Sequence, residues 1–486
     1  MLLSAALGIN LSQPLLDFVD IDLDLDFPLY IDPLGFVDPQ DRFASECQDD
    51  IRDFFEAVLK AIIDRDLEKG EALLAALQEP NETHLGMSEG EPRGRGIGRI
   101  QAQQILHNLR ETPAARTGLL GDLTDCALFI DGIGADKVSD ITTNIIRRHL
   151  IEYTQQQFER LEIPIVANLP TGRLWVRGEA RWDNTQFDHI PEINGKRVLL
   201  VPKRYVCWRG GMQQLASQYY THFVTNFIKE EQLSTNGHLV RVTQTKKGEK
   251  RKVLKKDIRE DMPPTKENLA RFSVENPHVY RAFKGALERR GSIGLRKLME
   301  VDGEVFEAAR FDAEVADVLV NIPPGRPHAT TYHHLVAGLI TYIFYPNLIA
   351  PTLEFDINQG RKRIDIAFAN AADRGFFGGI KRDPFLLARE IMVECKNYTE
   401  DLANNEIDQM IGRFDLRRGR FGIIACRAIA DADRLVERCR DMFRAQQGAT
   451  IVFIDADFVQ LLAVHDIERG AAVDAMCRAK FRALMA

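Results

Sequence analysis

The chain of 486 residues has no CxxC pair, and its seven cysteines, Cys47, Cys126, Cys207, Cys395, Cys426, Cys439 and Cys477, lack the Cys/His spacing that zinc requires. Such usage fits a reducing cytoplasm. No apolar run approaches the roughly 18 residues that cross a bilayer, so no membrane partner is expected. The opening Met1–Leu7 stretch is apolar but has no basic region before it and runs into acidic sequence, which argues against a signal peptide. A general excess of positive charge is also missing. With a formal charge of -8 the chain is no generic polyanion-coating protein, because nonspecific nucleic-acid affinity comes from many Lys and Arg facing phosphates.

That average conceals an asymmetry. The first sixty residues hold thirteen Asp and Glu against Arg42, Arg52 and Lys60, a balance of -10, so the remainder sums to +2. Residues 326–486 carry 22 Lys and Arg with 21 Asp and Glu, which leaves room for a local basic face. With 45% hydrophobic and 28% charged residues the chain is globular, and its length predicts two or three cores.

From Asp17 to Asp26 acids and apolar residues alternate, the period-two signature of a strand with one charged face. Those acids could bind a cation or simply discourage edge pairing. Helical spacing follows from about Gln40 to Lys69, with Ile51, Phe54, Phe55, Val58, Leu59 and Ile62 on one face. The glycine- and arginine-rich stretch Glu89–Arg99 could cradle phosphate, yet it has neither a preceding strand nor the Lys-Ser/Thr of a P-loop and reads rather as a plain surface loop. An apolar segment from Asp125 to Ile130 reads as a strand feeding a Gly-rich turn and a helix. Asp131, Asp136 and Asp140 gather there, either as a site or, with Ser139, as helix-capping groups.

Short strand-like pieces occupy Leu174–Val206, and a helix is expected from about Gln213 to Glu231. The basic run Lys246–Lys256 is either an exposed solvated segment or a phosphate-binding strip. Helical sequence from Pro263 to Leu319 ends at Asn321-Ile-Pro-Pro-Gly-Arg-Pro327, a Pro/Gly cluster that marks a domain boundary. Two parts result: residues 1–320, a mixed α+β region with a break near 240–262, and residues 326–486.

Beyond the boundary the expected order is a helix Thr331–Tyr345, strands Ile349–Ile357, Arg363–Ala369 and Arg389–Lys396, a helix from about Glu400 to Arg417, a strand Phe421–Cys426, a helix Asp431–Gln446 and a strand Thr450–Ile454. This α/β pattern suits a central mixed sheet with helices on both faces. Asp365 interrupts one apolar strand, and Glu394 with Lys396 interrupts another. Alternate strand residues share a face, so Glu394 and Lys396 point together, away from Val393 and Cys395. Should the two strands pair in register, Asp365 and Glu394 could share a hard cation such as Mg²⁺. A metal that activates water and a lysine that stabilises developing charge are what phosphodiester hydrolysis needs. The other reading is of ordinary ion pairs, Asp365 with Arg363 and Glu394 with Lys396.

Asp365 with Glu394-Cys395-Lys396 in this order of elements resembles the PD-(D/E)xK nuclease superfamily, which includes many restriction endonucleases; the likeness covers about Thr331 to Ile454. It implies a restriction-endonuclease-like αβββαβ core in which Asp365 and Glu394 bind Mg²⁺, with Mn²⁺ as a substitute. The Cys395 carbonyl adds a ligand, and Lys396 assists the water. Gln409 resembles the site glutamine of RecB-type and Mrr-type members, and His333 or His334 the extra histidine ligand of some RecB-type members. Glu354 on the first strand is a further candidate ligand. The chain departs from the pattern in having no Pro-Asp dipeptide at Asp365, a long gap to Glu394, and Arg413 rather than tyrosine four residues after Gln409.

These residues together lead to the expectation of a metal-dependent DNA endonuclease behind a regulatory or recognition region that takes a partner protein, an activating ligand or a second copy of the chain. By analogy of layout such proteins belong to prokaryotic restriction and antiphage defence. A repair or recombination nuclease, or a catalytically silent nucleic-acid-binding module, are the alternatives.

Overall fold

The computed structural model describes residues 1–9, 11–26, 29–37, 41–86, 99–112, 123–165, 168–208, 215–245, 248–288, 307–357, 362–397 and 404–485. Their buried apolar side chains form two clusters. One draws on residues from Leu3 to Phe283. The second runs from Val315 to Leu484 and takes in Leu15. The helix Ala308–Asn321 precedes the Pro/Gly break, yet its Val315 and Leu319 belong to the second cluster.

In the first part the helix Arg42–Ile63 starts at Asp41, whose carboxylate accepts the Ala44 N–H. It stops sooner than the periodicity suggests: Arg65 takes φ 61° and Asp66 caps a separate helix, Leu67–Ala75. The alternating Asp17–Asp26 segment is not a strand. Phe18, Val19, Asp20 and Ile21 are all buried, so neither parity faces solvent. Its acids find individual donors instead. Asp17 accepts the Tyr153 hydroxyl at 2.7 Å, Asp20 accepts the Ser4 hydroxyl at 2.6 Å, and Asp22 holds the Met1 ammonium at 2.9 Å.

The segment read as a strand before Asp131 is also different, since Leu123–Phe129 is helical. A short apolar run looks alike in a strand and in a buried helix, and packing decides between them. Short antiparallel pairs occupy 168–197, and the expected helix near 213–231 appears as helical turns from Leu215 to Thr235 with one π-helical stretch, Tyr219–Val224.

The second part is built on a five-stranded mixed sheet. Its spatial order follows the chain: Leu348–Ile357, Lys362–Asn370, Glu390–Lys396, Phe421–Cys426, Ala449–Ile454. The first three strands are antiparallel neighbours, whereas the last two join in parallel through the crossover helices Asn404–Ile411 and Ala432–Arg444. All six residues of Phe421–Cys426 are buried, as expected for a parallel strand covered on both faces. The insertion between the second and third strands holds the helix Gly375–Arg382. Two helices, Asp455–Leu462 and Asp466–Met485, close the chain. None of the described helices is long and apolar enough to cross a membrane.

Candidate active site

The antiparallel ladder between the second and third strands pairs Ile366 with Val393 and Ala367 with Met392. The pairing ends at Ile366 and Val393, and Asp365 and Glu394 are the next residue on each strand beyond it. A hydrogen bond fixes the contact: Asp365 Oδ2 accepts the Cys395 N–H at 2.9 Å. Val393 and Cys395 point oppositely into the core and are buried. Burial drives the Cys395 thiol well above its ordinary pKa, and the Asp365 charge adds to that, so the thiol stays protonated.

Glu394 is 2% exposed, and a carboxylate so removed from water needs positive charge beside it. Two cations supply it. Lys396 Nζ lies 2.6 Å from Oε1, and the Arg413 guanidinium forms an ion pair with Oε2. Burial lowers the Arg413 pKa while the Asp365 charge opposes that effect, so both carboxylates act on this guanidinium. Arg413 sits just past the helix Asn404–Ile411, where its N–H closes a turn onto the Met410 carbonyl at 3.0 Å. The same turn is seated by Met410, which is fully buried against the strand at Gly422; a Cβ there would meet the Met410 sulfur.

Asn397, next after Lys396, clasps the domain break: its side chain donates to the Pro323 and Gly325 carbonyls at 3.2 and 3.0 Å. The expected boundary therefore packs against the C-terminal end of the third strand.

Asp365, Glu394 and Lys396 are thus brought together, and Arg413 joins them. The sequence signal for Arg413 is its place four residues after Gln409, where it reads as a departure from the nuclease pattern. Gln409 itself is exposed and has no hydrogen bond to the three among the described residues. His333 and His334 are half-buried on the helix Ala329–Ile343, and no group of three or more His, Cys, Asp or Glu is gathered among the described residues. The side chains of Glu354 and Arg363 lie outside the described residues, as does most of the Glu89–Arg99 stretch. Tyr332, on the same helix as the histidines, donates instead to Asp455 at 2.9 Å; Arg427 pairs with Asp455 at 3.1 Å and lies 5.1 Å over the Tyr332 ring. Arg427 also donates to the Leu319 and Ile322 carbonyls, so the network ties a helix end to a strand end.

The profile of a domain of unknown function, DUF8370, matches residues 8–212. That stretch gives its buried side chains to the first cluster, apart from Leu15 in the second, and stops well short of Asp365. No curated protein and no solved structure matches the chain.

The three aspartates of the first part do not converge. Asp131 is exposed, and its carbonyl accepts the Asn108 amide at 2.7 Å. Asp136 is exposed, while Asp140 is half-buried and raised to about 8 by burial, then by the charges of Glu79, Asp136 and Asp26. Neither Ser139 nor Asp140 caps the helix, whose N-cap is Gly134; the Ser139 hydroxyl accepts the Ile31 N–H across the fold at 3.0 Å.

Proposed function

We propose that residues 326–486 form a metal-dependent nuclease domain with a restriction-endonuclease-like core, hydrolysing phosphodiester bonds in DNA as an endonuclease. The observation that carries the reading is the meeting of the second and third strands just past their paired residues, where Asp365 accepts the Cys395 N–H and Lys396 sits on the Glu394 carboxylate. The donor set suits Mg²⁺ or Mn²⁺: two hard carboxylates on one face, at a place where Glu394 already holds a guanidinium as counter-charge. Asp365 and Glu394 would hold the ion, with the Cys395 carbonyl beside them. Bound there, such an ion lowers the pKa of water and neutralises phosphate charge.

The chain's own groups do the rest. Lys396, 2.6 Å from Glu394, is placed to orient a nucleophile and to offset charge that develops on the phosphate. Arg413 is a second cation at the same face, able to pass from Glu394 to a phosphate oxygen once another positive charge takes its place. The first part, residues 1–320, would then govern access, by taking a partner protein, a ligand or a second copy, as in restriction and antiphage defence.

One observation favours a second reading. With Lys396 and Arg413 present, two carboxylates and two cations already balance, which a catalytically silent scaffold would also need. Incubation of the purified chain with Mg²⁺ or Mn²⁺ and duplex DNA, single-stranded DNA or RNA separates the two, beside Glu394→Gln and Lys396→Ala. Cleavage by the parent chain that both substitutions abolish is expected. Cleavage indifferent to both sinks the assignment, and a chain that binds without cleaving any of the three is the scaffold.

A further inference from the structure

Between the helices ending at Thr235 and beginning at Lys255, the chain makes an antiparallel ribbon, Arg241–Thr245 against Gly248–Lys252. Thr243 pairs with Lys250 and Arg241 with Lys252. Arg241–Gln244 and Glu249–Lys252 are exposed throughout. A two-stranded ribbon that buries so little is marginal by itself in water, so core packing does not dictate its sequence. It is held at its base. Val253 is buried, and Arg241 forks onto Asp257 with Nε–Oδ2 2.7 Å and Nη2–Oδ1 2.6 Å.

The charges of the ribbon are sorted by face. Opposed residues, and alternate residues along a strand, share a side. Val242, Gln244, Glu249 and Arg251 therefore lie on one side, where Arg251 Nε bonds Glu249 Oε1 at 2.8 Å and the charge cancels. Arg241, Thr243, Lys250 and Lys252 lie on the other. Lys250 and Lys252 have no acidic partner among the described residues, and exposed Lys255 and Lys256 extend the positive charge into the next helix.

We propose that this lysine face docks on double-helical DNA, with Lys250 and Lys252 on backbone phosphates and the Thr243 hydroxyl as a neighbouring donor. A two-stranded ribbon is a shape that the major groove admits, and cations on one side with a neutral back suit a linear polyanion. An anionic membrane fits less well, because the one large apolar side chain of the ribbon, Val242, lies on the opposite face. The choice of DNA rests on the nuclease reading; the surface is separate from Asp365 and Glu394.

Binding is measured in EDTA, so that cleavage plays no part, by anisotropy of a short labelled duplex over a range of salt. Three chains are compared: the parent, Lys250→Glu/Lys252→Glu, and the charge-neutral back-face variant Glu249→Gln/Arg251→Gln. Two lost phosphate contacts should lower the salt slope by about 1.8 and the affinity by about 60-fold at about 0.1 M salt. The back-face variant should bind like the parent, and matching melting curves show that all three are folded. A lysine variant with the parent's affinity and salt slope overturns the docking surface and leaves the nuclease reading standing. A parent that ignores duplex DNA yet binds RNA or anionic phospholipid vesicles through these lysines overturns it as well. Loss of cleavage in Glu394→Gln with duplex binding intact is expected here, since the two surfaces are distinct.

Discussion

Replacing Arg413 with methionine keeps most of the unbranched stem and removes one of the two cations on Glu394. The carboxylate is 2% exposed, so water cannot make good the loss. At an effective dielectric near 20, unit charges about 4 Å apart attract by about 4 kcal/mol, and removing one partner of a buried pair costs about 3–5 kcal/mol. Lys396 remains 2.6 Å from Oε1 and offsets part of that. A net loss of about 2–3 kcal/mol results, which lowers the melting temperature of a domain this size by about 4–12 °C. The removed charge is one that a divalent cation can restore. With Arg413 gone, Asp365 and Glu394 face Lys396 alone, so Mg²⁺ should bind the variant more tightly than the parent, adding about 1.4 kcal/mol for each tenfold excess over Kd. Scanning calorimetry in EDTA and in Mg²⁺ measures both effects. The variant should melt lower in EDTA and gain more from Mg²⁺ than the parent does. Equal melting in EDTA would refute the neutralising role of Arg413; indifference of both chains to Mg²⁺ would refute the shared metal site.

Asp140 predicts a pH dependence. Its folded pKa, about 8, stands above the ordinary 3.8, so between these values the folded chain keeps a proton that the unfolded chain has lost. The contribution is full at low pH and falls away as pH rises through that window, by up to about 1.4 kcal/mol per pH unit, and denaturant titrations should show Asp140→Asn flattening the decline. Gly419 stands at φ 113°, where an added Cβ would come 2.5 Å from the Leu387 carbonyl oxygen; Gly419→Ala should cost about 2–3 kcal/mol in the same titrations. Asp431 accepts the Arg434 N–H at the start of the helix Ala432–Arg444, and Asp431→Ala should cost about 1 kcal/mol.

The part beyond the Pro/Gly break was legible because its central strands are apolar and buried: Phe421–Cys426, covered on both faces, was expected and found with the same bounds. Asp365 and Glu394 stood out as charges in apolar company. Their meeting depended on strand order and register, which hydrophobic pattern alone does not specify. Arg413 was visible as a residue but not as a partner, since its approach depends on where one helix ends and on how closely Met410 packs at Gly422. The acidic opening misled for a different reason. Period-two alternation promises a strand only when the acids face water, whereas Asp17 and Asp20 are buried on hydroxyl donors. Leu123–Phe129 shows the remaining ambiguity, because seven residues are too few for periodicity to separate a helix from a strand.

The claim that Asp365 and Glu394 serve one divalent cation in phosphodiester hydrolysis is tested most directly by the rate at which closed circular duplex DNA is nicked by the parent chain and by Asp365→Asn. Asparagine keeps an oxygen for the Cys395 N–H, which Asp365 accepts at 2.9 Å, so the strand pair stays intact while a hard ligand is lost. The parent should nick the circle in Mg²⁺ or Mn²⁺ and not in EDTA, and the variant should be slower by about a hundredfold or more. Equal rates for the two chains, or nicking by the parent that persists in EDTA, would contradict the account.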